Sequence, residues 1–207
     1  MPIDLSEIAA PARTAVLTME VQRGTVGEHS PFPDLVRAAA DAELVPNICR
    51  LLDAARQGGV RVVHCTARFR RDLAGSKANA PLLSAMMRRP DHILEGSPGE
   101  ELCDGMFDSD WDLVCPRLSG VSPFTGTSLD SLLRNMGVET VVATGVSVNL
   151  AILGLCIEAV NLGYKVVLPV DAVAGFPAEY VEAVIANTLS LVATKSTVDA
   201  MVKAWRC

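Results

Sequence analysis

Five short apolar runs, separated by stretches of helical periodicity, constrain this 207-residue chain more than any other feature. They lie at 14–20, 60–65, 111–115, 139–144 and 164–170. Runs this short and this apolar read as strands buried on both faces, the pattern of a parallel sheet. Between them, helical spacing is clearest over 35–57, where Leu44, Val45, Ile48, Leu51 and Leu52 recur and Pro46 is placed to break or kink the helix. Gly58 and Gly59 stop that pattern before the second run. Further helices are expected over 129–136, 150–162, 177–193 and 199–205, the first with Thr127 and Ser128 as candidate N-caps and Gly137 as its stop. A last strand is expected at 196–198. Strands alternating with helices imply a three-layer α-β-α sandwich around a central, mainly parallel sheet of about six strands. Ligands in such folds bind beyond the carboxyl ends of the strands.

Half of the residues are hydrophobic and no shift in composition divides the chain, so one domain over 1–207 is expected. The net charge of −6, with no run of Lys or Arg, argues against a nucleic-acid partner. No apolar run reaches the length of a membrane span, roughly 18 residues or more, and acidic residues stand where a signal peptide is basic. A cytoplasmic protein with no membrane partner is expected. Cys49, Cys65, Cys103, Cys115, Cys156 and Cys207 show no C-x-x-C spacing and read as reduced thiols.

Three strand ends carry the candidate chemistry. The first run delivers Glu20 to the edge of a glycine-bearing loop at 22–30. The third leads into a loop over 115–126. The fourth enters the segment VVATGVSVNLAILG, 141–154, where an apolar run ends in the Gly145 turn and opens at once into a helix. The first N–H groups of a helix have no internal partners and attract negative charge. Convergence of several strand ends is what a site needs. The stretch 66–105 loses periodicity and gains prolines, glycines and Arg68, Arg70 and Arg71, so it reads as a long loop with a helical piece at 81–89. His64, alone on a strand, reads as a hydrogen-bonded core residue. His29 and His92 stand far from it in sequence, so no metal or other cofactor is expected.

The segments AVLTMEVQ, SPFTGTSLDSLLRNMGVETVVATGVSVN and AVNLGYKVVLPVDAVAG, in this order, resemble the isochorismatase-like (cysteine hydrolase) superfamily over nearly the whole chain. The resemblance implies a triad of aspartate, lysine and cysteine. Its aspartate falls on Glu20, which keeps the carboxylate on an arm one methylene longer. Its lysine falls most nearly on Arg117, which can clamp a carboxylate or developing charge but cannot shuttle a proton. Its nucleophile falls on Ala151, whose methyl group cannot attack a carbonyl. It further implies a non-proline cis peptide at Val146-Ser147 and self-association as a homodimer or homotetramer, with Leu155, Ile157 and Val160 free to pack the core or a neighbour. Candidate substrate contacts are Gln22, Phe124, Val146, Ser147 and Asn149. Two functions fit these residues. One is a metal-independent hydrolase of a small, anionic metabolite, cleaving a vinyl ether or a C–N bond by acid or base chemistry at Glu20 with no cysteine nucleophile. The alternative is a catalytically inactive or ligand-binding paralogue.

Overall fold

A computed structural model describes residues 4–206; Cys207 and the first three residues lie outside the described residues. In chain order the elements are α1 (Leu5–Ile8), β1 (Thr14–Met19), α2 (Pro33–Asp41), α3 (Leu44–Gln57), β2 (Arg61–Ala67), α4 (Pro81–Met87), β3 (Leu113–Arg117), α5 (Leu129–Asn135), β4 (Thr140–Val146), α6 (Leu153–Asn161), β5 (Lys165–Pro169), β6 (Val173–Ala174), α7 (Ala178–Asn187), β7 (Thr194–Ser196) and α8 (Val198–Trp205). The seven strands form one sheet in the order β3-β2-β1-β4-β5-β7, with β6 pairing separately with β4. Every strand pairing is parallel. Side chains alternate across the pleat, so Ala15, Leu17 and Met19 join the core under α5, α6 and α7. Val16 points the other way, into the core that α3 and α8 cover. This is the expected three-layer sandwich.

Several boundaries differ from the sequence expectation, each for a local reason. The helix expected over 35–57 is two helices, and the break falls at Glu43, which adopts a left-handed φ of 48°. Pro46 sits in the first turn of α3, where its missing N–H forfeits no helical bond. The third strand starts two residues late because Trp111 is spent elsewhere, its Nε1 donating to the Val60 carbonyl at 2.9 Å. Ser128 holds the cap position of α5 without capping it; the Leu129 N–H donates to the Thr127 hydroxyl at 3.1 Å instead. The helix expected from 150 opens with a wide π turn over Val148–Ile152, and the last strand lies at Thr194–Ser196 rather than 196–198. On α6, Leu155 is wholly buried while Ile157 and Val160 are exposed. No helix of the described residues is long and apolar enough to cross a membrane.

His64 belongs to a buried polar chain that ties β1 and β2 to α3. The Thr18 hydroxyl lies 2.7 Å from Nδ1, and Nε2–H donates to Asp112 at 3.0 Å. Arg56 adds two bonds to the same carboxylate, at 3.2 and 2.5 Å. Burial works against the charge of Asp112, yet the hydrogen bonds from His64, Arg56 and the Asp108 amide outweigh it and hold the carboxyl down at about 2. Because the folded value lies below the unfolded one, this stabilisation is complete above pH 4 and is lost as pH falls from about 4 to 2. The shift corresponds to about 2 kcal/mol. Asp112→Asn is therefore expected to be less stable by about that amount at neutral pH. Melting curves of wild type and variant should converge as the solution is acidified from pH 4 towards 2; a constant gap across that range would refute the assignment.

Candidate active site

The sheet order brings Glu20 and Arg117 together although two strands separate their origins. Glu20 follows β1 directly, and Arg117 ends β3 on the far side of β2. Its guanidinium reaches across the end of β2: Nη2 donates to Glu20 Oε1, and Nε donates to the Gly120 carbonyl at 3.2 Å. Both side chains are largely withdrawn from solvent, with 7% of Arg117 and 14% of Glu20 exposed, so neither charge is free to be satisfied by bulk water. The remaining nitrogen of Arg117, Nη1, is buried with no acceptor. Glu20 itself has a left-handed φ of 54°, anchored by its N–H to the Cys65 carbonyl at 2.9 Å. That conformation costs a non-glycine residue about 1–2 kcal/mol. Residues held this way gather at functional sites.

The turn after β4 forms the facing wall. Gly145 has a φ of 104°, and a Cβ there would lie 2.2 Å from the Met19 carbonyl oxygen, so only glycine lets the end of β4 close onto β1. The next peptide, Val146-Ser147, is cis. The chain then enters the π turn, which presents Ser147, Leu150 and Ala151 to a cavity of about 110 Å³ with Glu20 and Arg117 as its charged groups. Phe32, Leu83, Met86 and Val121 supply much of the rest of its wall. Val121 and Gly120 are held in place from behind. The hydroxyls of Ser122 and Thr125 and the Thr125 N–H all donate to Glu158 on α6, pinning the loop that follows β3. Burial raises the pKa of Glu158, but those hydrogen bonds prevail and leave its carboxyl below the ordinary glutamate value.

Of the residues singled out in the sequence, Glu20, Arg117, Ser147 and Ala151 line this cavity. Asn149 lines an adjoining outer hollow with Ser147. Three others do not meet the cavity. Gln22 is fully buried, and its amide is spent on the backbone of Ala67 and on the Glu100 carbonyl. Phe124 stacks on Tyr164 in the core, with ring centroids 5.9 Å apart. The Val146 side chain points into the core on the opposite face. Sequence reasoning missed the apolar wall from Phe32, Leu35, Leu82, Leu83 and Met86, whose only signal was the irregular stretch over 66–105 for the last three. Among the described residues no cysteine lines either hollow. Burial pushes the Cys65 thiol far up and that of Cys156 to about 12. The described residues contain no group of three His, Cys, Asp or Glu side chains set to hold a metal ion.

The parallel sheet flanked by helices has the isochorismatase-like α/β fold, and it gathers a carboxylate, a cation and a glycine turn at one edge. The chain belongs to the isochorismatase family, whose domain matches residues 14–200. It is 28% identical over 178 residues to a ureidoacrylate amidohydrolase, RutB, of Serratia proteamaculans, covering 79% of this chain and 70% of that one. It is 27% identical over 175 residues to a probable inactive nicotinamidase of Arabidopsis thaliana, covering 78% and 80%. The solved structure of a cysteine hydrolase from Pseudomonas syringae pv. phaseolicola superposes with a TM-score of 0.78 at 23% identity, covering 94% and 93% of the two chains.

Proposed function

We propose that this chain hydrolyses a small carbonyl-bearing metabolite through Glu20, without a cysteine nucleophile and without a metal. The observation that carries this reading is the Glu20–Arg117 pair at one end of a cavity whose other wall is the Ser147–Ala151 turn. An ion pair with arginine suits the carboxylate form, which is a base. In this reading Glu20 takes a proton from a water molecule as the water oxygen adds to the substrate carbonyl. Arg117, the one cation lining the cavity among the described residues, stabilises the oxyanion that results. Collapse of the adduct breaks the C–N bond, and the amine departs with the proton that Glu20 received. Amide and water are consumed, acid and amine are formed, and nothing becomes bonded to the protein. The likeness to an amidohydrolase supports C–N cleavage as the reaction.

A ligand-binding paralogue without turnover is the second reading, supported by the methyl group at Ala151 and by the likeness to a probable inactive nicotinamidase. Product release from a panel of carboxamides, ureides and isochorismate, with and without prior iodoacetamide treatment, separates the two. The hydrolase reading expects turnover that alkylation leaves unchanged. Turnover abolished by alkylation would place a thiol in the reaction, and no turnover of any compound would leave the binding reading standing.

A further inference from the structure

Behind the apolar wall of the cavity lies a histidine that the proposed reaction does not use. His92 is 6% exposed and sits between two aromatic rings, meeting Phe32 edge-on with centroids 5.8 Å apart and Phe69 at 6.2 Å. Phe32, at the start of α2, lines the cavity. Nδ1 lies 2.6 Å from the Arg89 carbonyl, which can only accept, so Nδ1 carries the proton of the neutral ring. The Arg89 N–H in turn donates to the Met86 carbonyl at 3.0 Å, at the end of α4, whose Leu82, Leu83 and Met86 line the cavity. The His92 backbone is gripped as firmly. A Cβ at Gly24 or at Gly99 would lie 1.6 or 1.9 Å from its carbonyl oxygen, and the Gly24 N–H donates to the Gly99 carbonyl at 2.8 Å. One residue therefore ties both halves of the apolar wall, Phe32 and α4, to a fixed piece of backbone.

The surroundings favour one charge state of the ring. Nε2 is buried with no hydrogen-bond partner, so a proton there would make a charged donor that lacks an acceptor. Burial pulls the pKa of His92 below the ordinary histidine value, against the opposing pull of the Arg89 carbonyl, Glu20 and Asp91. The other charges on the segments packed around it are paired elsewhere: Arg23 with Glu28 and Glu101, Arg68 with Glu100, and Asp34 with Arg37. We infer that His92 is a positioning residue, that it holds Phe32 and α4 at the spacing which shapes the cavity beside Glu20, and that the neutral ring is the form that holds them. The inference rests on that cavity being the site of the reaction. When the wall opens, Nε2 meets water and titrates at the ordinary value of about 6.5. The open form therefore takes up the proton first, so the closed wall is fully favoured above that pH and weakens as pH falls below it.

Hydrogen exchange of the full chain, followed by mass spectrometry and corrected for the intrinsic effect of pH, reads the closure of residues 81–94 directly. Their protection is expected to fall at least three-fold from pH 7.5 to 5.0 in the wild type, while α3, on the opposite face of the sheet, stays within two-fold. His92→Asn keeps a donor where Nδ1 stands and has nothing to titrate, so it should match wild type within three-fold at pH 7.5 and show no fall at 5.0. His92→Leu removes the donor as well and should lose at least ten-fold at both pH values. With any compound that is turned over, His92→Leu should raise KM at least five-fold and leave kcat within three-fold, because Glu20 and Arg117 are untouched. No fall in the wild type, a fall that persists in His92→Asn, wild-type protection in His92→Leu, or an unchanged KM in that variant each overturns the inference. The exchange measurements decide the positioning role with or without a substrate. If they come out as expected and no compound is turned over, the hydrolase reading alone is removed.

Discussion

Glu20→Gln is expected to lower kcat by about 10²–10⁴-fold, the usual contribution of a positioned proton acceptor. The substitution is nearly isosteric, and a glutamine oxygen can still accept from Arg117, so the cavity keeps its shape. What disappears is the capacity to take a proton from water. The loss should therefore appear in kcat with KM little changed, the signature of an interaction used only in the transition state. A melting temperature near that of wild type would show that folding is intact. Residual activity within ten-fold of wild type, in a folded variant, would show that the proton goes elsewhere.

The second large effect is on stability. Arg117→Met should destabilise the fold by about 3–5 kcal/mol, because it strands the Glu20 carboxylate in a site that water scarcely reaches. In a chain of this size that corresponds to a fall in Tm of roughly 6–20 °C. The double variant Glu20→Leu, Arg117→Met removes both charges and is expected to recover most of that loss, since apolar pairs commonly replace buried ion pairs at little cost. Activity should stay absent in the double variant. That combination, stability regained and function not, separates a pair kept for chemistry from one kept for structure. A double variant no more stable than the single one would mean that the guanidinium is needed for the fold itself, through its bond to the Gly120 carbonyl.

The layers of this fold are written in short-range patterns, and for that reason they could be read from the chain alone. Buried parallel strands such as β1 and β4 must be apolar throughout, and the glycines after α3 and α5 mark where helical spacing stops. The meeting of Glu20, Arg117 and the Gly145 turn was legible too, because strand ends in a parallel sheet share one edge. Side-chain direction was not. Whether Gln22 turns to the cavity or to the backbone of Ala67 depends on a strand 45 residues away. Phe124 lies in a loop near the cavity, yet Tyr164 offers it a stacking partner in the core. The apolar wall was hidden for a related reason: Leu82, Leu83 and Met86 come from a short helix inside an irregular stretch, and nothing in their spacing says which face meets Phe32. The break at Glu43 went unread because proline is the louder signal, while a single left-handed residue leaves little mark on composition.

The placement of β1 between β2 and β4 has a consequence for how the protein comes into being. The sheet's first strand in sequence order is an interior strand of the finished sheet, and the neighbour that completes it arrives late: Arg13 and Glu139, which flank that pairing, are 126 residues apart. At cellular translation speeds the wait is roughly 6–25 s. For that interval the strand that will present Glu20 has one edge unsatisfied, and β4, the strand that closes it, also carries the turn bearing Ala151. The edge that carries Glu20 and the Ala151 turn is therefore assembled in the same event that seals the sheet, and a nascent chain stalled before that point holds neither.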